Sequence, residues 1–198
     1  MNPDFVAVTG GSAGGHLAAL MGLTGNRPEL QPEHPDTDTS VQACIPFYGV
    51  YDMLVRENQH PNRKIYERFL RHKVMYESPE ENPELWDLAS PIAQVHENVP
   101  PFMVVHGTHD SLAVVAEGRA FSHKLRQVSN NPVVYLEMPG AEHAWETVHS
   151  LRTEHTVDGV HRFLEWVRAN AAAATDDTTA EVESEPEQPV EEEAMAVV

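Results

Sequence analysis

The stretch "AVTGGSAGGHLAAL", residues 7–20, decides the reading of this 198-residue chain. A serine stands between two pairs of glycines, with an apolar run before it and a helix-forming run after it. "DFVAVT", residues 4–9, predicts a buried strand. "SAGGHLAALMGLTG" predicts a helix, with Leu17, Leu20 and Met21 on one face and Gly25 near its end. A serine at that junction is either part of a glycine-rich turn or a nucleophile held on a sharp bend. Two phosphate-binding patterns fail the test. Gly10 and Gly15 have the spacing of a Walker A loop, but His16 and Leu17 follow where Lys and then Ser or Thr are required. A dinucleotide fingerprint beginning at Gly10 or Gly11 would need glycine at position 12 or 13, and neither is glycine.

The pattern that fits is G-x-S-x-G, as Gly10-Gly11-Ser12-Ala13-Gly14, in the strand-to-helix context that motif requires. The reason is steric. A residue at the tip of such a turn holds a strained backbone, and side chains at Gly10 and Gly14 are expected to collide with it. The bend lifts the Ser12 hydroxyl clear of the sheet. The helix start adds partial positive charge, and the Ala13 N–H becomes an oxyanion donor.

Outward from the elbow, buried strands alternate with amphipathic helices. Strands are expected at 41–49 ("VQACIPFYG"), 100–107 ("PPFMVVHG") and 132–138 ("PVVYLEM"). "LAVVAEGRAFSHKLRQV" reads as a helix. So does "TVDGVHRFLEWVRANAA", whose apolar stripe is Val157, Val160, Phe163, Leu164 and Val167. Residues 52–100 are charged and proline-punctuated, and read as a mostly helical insertion in which Ile65, Phe69 and Val74 have helical spacing. The fold class is therefore α/β, with about four mostly parallel strands covered on both faces. The expected domain is 1–174, followed by a disordered acidic tail at 175–198. That tail holds nine Asp or Glu and no Lys or Arg.

A serine hydroxyl needs a histidine to take its proton, and the histidine needs a carboxylate to orient it. Asp110, in "HGTHDSL", sits just past the third strand. His143, in "PGAEHAW", sits just past the fourth. Chain order favours Asp110 as the acid over the runner-up Asp52. Trp145, beside the base, reads equally as a pocket wall or as ordinary packing. Cys44 lies in an apolar strand and reads as core.

A formal net charge of −18 opposes nucleic-acid binding. No apolar run is long enough to span a membrane. The single cysteine suits a reducing compartment, and no signal-peptide pattern opens the chain, so a cytoplasmic location is expected. No metal site is expected. His106, His109 and Asp110 do not converge in an extended segment, and His149, His155 and His161 face three directions of a helix.

With "GGSAGGHLAAL", "ASPIAQV", "PPFMVVHGTHD" and "PGAEHAW" in order, the chain resembles the α/β-hydrolase superfamily, in its hormone-sensitive-lipase-like esterase branch. The best-known form of the first motif has Asp where this chain has Gly11. The resemblance implies an α/β-hydrolase fold and hydrolysis of small-molecule carboxylic esters without a cofactor. It implies acylation of Ser12, proton shuttling by His143, orientation by Asp110, and a substrate-covering cap from residues 52–100. The family carries about four strands and an H-G-G oxyanion loop before the elbow, and this sequence contains no such motif. The chain therefore reads as the carboxyl-terminal part of an esterase, a poor enzyme alone, with its first strand left as an open edge. An amidase, formamidase or peptidase would use the same triad. A non-catalytic fragment would act through its sheet edge or acidic tail.

Overall fold

The computed structural model describes residues 5–54 and 63–183. Four strands, β1 (Ala7–Gly11), β2 (Ala43–Phe47), β3 (Phe102–Gly107) and β4 (Val133–Met138), form one all-parallel sheet in the order β1-β2-β3-β4. The flanking helices are α1 (Ala13–Thr24), α4 (Val115–Val128) and α5 (Leu151–Glu183), with α2 (Arg63–Phe69) and α3 (Pro83–Leu88) in the insertion.

Strand periodicity divides the core into two layers. Cys44, Phe102 and Val104 point to one face, where they meet Ala19 and Leu23 of α1 and Phe121 and Leu125 of α4. Ala43, Ile45, Met103 and Val105 point to the other and meet Phe163 and Val167 of α5. Successive strand side chains face opposite ways, so strands covered on both sides read as continuous apolar runs.

Several sequence expectations need correction. The first strand is not buried: β1 is an edge of the sheet and three of its five residues are exposed. In α1 the sheet-facing side is made of small residues, Gly15, Ala18, Ala19 and Gly22, with Leu23. Leu17 and Met21 point away, 58% and 54% exposed. Close approach explains this. A β-carbon on Gly22 would lie 3.0 Å from both Cys44 and the Phe102 ring, so only small residues fit between helix and sheet. Val157 is likewise exposed, outside the packed stripe of α5. That helix runs through Glu183 into the stretch that composition assigns to a tail. The alanine run 171–174 has the highest helix propensity of any residue type and carries the helix onward. Residues 184–198 lie outside the described residues.

The insertion has its own small core of Met53, Leu70 and Trp86. Asn82 caps α3 by accepting from the Leu85 N–H at 3.1 Å, with Pro83 at the first helical position. After α2 the chain widens into a π-helix, Leu70–Met75, closed by Tyr76 in the left-handed region. Ile65, Phe69 and Val74 are exposed rather than packed into a core.

Candidate active site

Three loops leave the carboxyl ends of β1, β3 and β4 and meet above the sheet. The first is the elbow. Ser12 has φ 57° and ψ −119°, a strained conformation for a residue with a side chain. It is pinned by its own N–H, which donates to the Phe47 carbonyl at 3.1 Å, and by the first helical bond, His16 N–H to the Ser12 carbonyl at 3.0 Å. Two glycines make room. A β-carbon on Gly10 would lie 2.4 Å from the Gly14 carbonyl oxygen, and one on Gly15 would lie 2.3 Å from the Phe47 carbonyl oxygen. Gly14, expected to be a steric requirement, has no atom within 4 Å of such a carbon. The close approach is one residue later, where α1 crosses the end of β2.

The second loop carries Asp110, buried. Its Oδ1 accepts from the N–H groups of Leu112 (2.9 Å) and Ala113 (2.8 Å), which curls the loop beneath the carboxylate. Its Oδ2 faces His143 Nδ1 at 2.8 Å. The third loop carries His143, whose Nε2 lies 2.8 Å from Ser12 Oγ. A carboxylate can only accept at Nδ1, so that nitrogen carries the proton and Nε2 presents its lone pair to the hydroxyl. Glu142 ties the two loops together. Its Oε1 accepts from the N–H of Ser111 (2.7 Å) and of His143 (2.9 Å), and the His143 N–H holds its carboxyl below the usual range.

Behind Asp110 lies His106, fully buried. Its Nε2–H donates to the Ala113 carbonyl at 2.7 Å, and burial lowers its pKa, so the ring stays neutral. Asp52, the runner-up acid, belongs to the loop after β2 and accepts from the Leu54 N–H at 3.1 Å. His109 is exposed and outside the relay. Among the described residues, no group of three or more His, Cys, Asp or Glu is placed to hold a metal ion. Trp145 packs against the α5-side core. Cys44 is buried, with its thiol 3.2 Å from the Ala18 carbonyl.

A cavity of about 620 Å³ opens over Ser12, Ala13 and His143. Its walls are mostly apolar: Leu17 of α1, Val50 after β2, and Met53, Phe69, Leu70 and Val74 from the insertion. The exposed Leu17, Phe69 and Val74 thus face this space. His16 also lines it. Its Nδ1–H donates to the Val50 carbonyl at 2.8 Å, and burial lowers its pKa. Sequence reasoning missed His16, Tyr48 and Glu142. Only Glu142, next to His143 in "PGAEHAW", left a trace in the sequence. Among the described residues, no helix is long and apolar enough to cross a membrane.

The comparisons with known proteins agree with this architecture. The chain is 43% identical over 176 residues to the "Probable carboxylic ester hydrolase LipM" of Mycobacterium tuberculosis, covering 88% of this chain and 40% of that protein. It is 45% identical over 163 residues to the esterase LipQ of the same organism, covering 82% of this chain and 38% of that protein. The chain thus spans about 40% of the length of these curated relatives. Among solved structures, a thermophilic esterase from Thermogutta terrifontis with butyrate bound superposes with a TM-score of 0.62 at 26% identity, covering 81% of this chain and 56% of that one. A truncated carbohydrate esterase from gut microbiota shares the fold, with a TM-score of 0.65 at 22% identity over 84% of this chain and 61% of that one. The family model described as BD-FAE matches residues 1–125, and with the parallel sheet and its helices in place the chain belongs to the BD-FAE family of α/β hydrolases.

Proposed function

We propose that the chain carries the nucleophile, base and acid of a carboxylic ester hydrolase: Ser12, His143 and Asp110. One observation carries the reading. An unbroken relay runs from Ser12 Oγ to His143 Nε2 (2.8 Å) and from His143 Nδ1 to Asp110 Oδ2 (2.8 Å), at the floor of an apolar cavity. Ser12 Oγ attacks the ester carbonyl carbon as its proton passes to His143 Nε2. The imidazolium is stabilised by Asp110. It then protonates the departing alkoxide, leaving an acyl group on Ser12. Water enters, gives a proton to Nε2, and attacks the acyl carbon. The acid departs and the Ser12 hydroxyl is restored.

The oxyanion of each tetrahedral intermediate falls near the start of α1, where the Ala13 N–H has no intrahelical acceptor. The cavity volume suits a small ester, since ligand sites run to roughly 300–1,000 Å³. We assign the insertion as a cap, because its Phe69, Leu70 and Val74 line the same cavity as Ser12 and His143. The names of the curated relatives, carboxylic ester hydrolase and esterase, point to the same chemistry.

The test pairs p-nitrophenyl butyrate turnover with labelling by a fluorophosphonate probe, in wild type and Ser12→Ala. Labelling of the wild-type chain at Ser12, and loss of both signals in the variant, is expected. A folded wild-type chain that neither turns over nor labels would overturn the assignment.

A further inference from the structure

We propose that Tyr48 and Glu146 form a positioning pair that fixes the ring plane of His143. The inference rests on His143 acting as the base, and it concerns how that base is held. Tyr48 follows the end of β2, is buried, and has φ 35°. A bulky residue in the left-handed region costs about 1–3 kcal/mol and persists only where its surroundings over-determine it.

Three contacts do so. The Tyr48 N–H donates to the Val105 carbonyl at 2.7 Å. Its ring meets the His143 ring with centroids 4.7 Å apart and planes at 60°. Its hydroxyl donates to the Glu146 carboxylate. Glu146 lies three residues after His143, on the short 3₁₀ helix Trp145–Thr147, which the chain enters through Ala144 in the left-handed region. One tyrosine therefore touches the base with its ring and tethers the base's own loop with its hydroxyl.

The pair also adjoins the nucleophile. A β-carbon on Gly11 would lie 2.6 Å from the Tyr48 hydroxyl and 3.3 Å from Glu146 Oε1, so a side chain there would displace the pair. Glu146 Oε2 is buried without a hydrogen-bond partner, and burial raises the pKa of this carboxyl. Leaving a carboxyl oxygen so placed is costly, as expected of a group held for position. Asp110 restrains the imidazole only through Nδ1. Rotation about that contact would swing Nε2 off Ser12, and the Tyr48 ring blocks the swing.

The experiment measures kcat and KM for p-nitrophenyl butyrate in Tyr48→Leu, Tyr48→Phe and Glu146→Gln, alongside Tm and the NMR signals of the His143 ring protons. Tyr48→Leu is expected to lower kcat about 10–100-fold with KM within about twofold. The two milder variants are expected to give smaller losses that do not add in the double variant. Tyr48→Leu is also expected to shift the His143 ring signals by removing the aromatic ring beside them. That shift is read without turnover, so a chain that hydrolyses no ester refutes the proposed function while the clamp is still tested. Unchanged ring signals in Tyr48→Leu, or wild-type kcat in that variant, overturns the pairing. If Tyr48→Leu fails to fold, wild-type kcat in both milder variants does the same.

Discussion

Replacing Asp110 by asparagine changes one atom, and the geometry states what that atom does. Oδ1 accepts from the Leu112 and Ala113 N–H groups at 2.9 and 2.8 Å, so the amide carbonyl of asparagine takes that place and keeps the loop. The amide nitrogen then occupies the Oδ2 position, 2.8 Å from His143 Nδ1. It donates, which favours Nδ1 as an acceptor with the ring's proton on Nε2, in competition with the Oδ1 carbonyl, which also lies 3.0 Å from Nδ1. In that tautomer Nε2, 2.8 Å from Ser12 Oγ, points a proton at the hydroxyl and can no longer remove one. A wrong tautomer in such a relay costs about 10⁴ in kcat, or about 5 kcal/mol of barrier. The fold is retained, so Tm should stay within a few degrees of wild type, roughly the effect of less than 1 kcal/mol. Asp110→Ala, by contrast, strands the buried Ala113 N–H at about 1–3 kcal/mol and also releases the part-buried Leu112 N–H. The assay is kcat for p-nitrophenyl butyrate with Tm on the same samples. Asp110→Asn within tenfold of wild type, at unchanged Tm, would refute Asp110 as the group that sets the tautomer.

Gly15→Ala places a carbon 2.3 Å from the Phe47 carbonyl oxygen, whereas Gly14→Ala meets nothing within 4 Å. The first should lose about 1–3 kcal/mol by urea titration together with fluorophosphonate labelling, and the second should keep both. Burial pushes the Glu117 carboxyl up to about 7 from 4.5. Its stabilising contribution is full below pH 4.5 and is lost as pH rises through about 7, a change of at most about 3 kcal/mol. Glu117→Gln should therefore gain stability relative to wild type between pH 4.5 and pH 8, and a pH-independent difference in urea midpoints would contradict this. The Cys44 thiol is fully buried and its pKa is raised by burial. A thiol reagent should thus react with the native chain only at the rate of opening and promptly in denaturant.

The tight turn at Ser12 was legible because a bend between strand and helix forces a local pattern, and Gly10-Gly11-Ser12-Ala13-Gly14 carries it. Asp110 and His143 were legible because chain order and strand ends restrict the candidates to a few loops. What stayed hidden depends on which face of an element meets a neighbour. Leu17 and Met21 look like the packed side of α1 by hydropathy, yet the side that meets the sheet holds Gly15, Ala18, Ala19, Gly22 and Leu23. Phe69 and Val74 have helical spacing, yet they wall a cavity shared with Ser12 and His143, both far away in sequence. The left-handed backbone of Tyr48 has no sequence signal, because glycine is absent where the conformation would ordinarily call for it. Its partners, Val105, His143 and Glu146, all lie far along the chain.

The strands lie in chain order across the sheet, with the serine loop at one margin and the histidine loop at the other. The hydroxyl and the imidazole are consequently 131 positions apart in sequence, and neither can find the other until β2 and β3 are laid between them. If the proposed function holds, covalent capture of Ser12 by a phosphonate would work as a clock for refolding. Its onset after dilution from denaturant dates the arrival of the last strand, and no partly assembled sheet can trigger it.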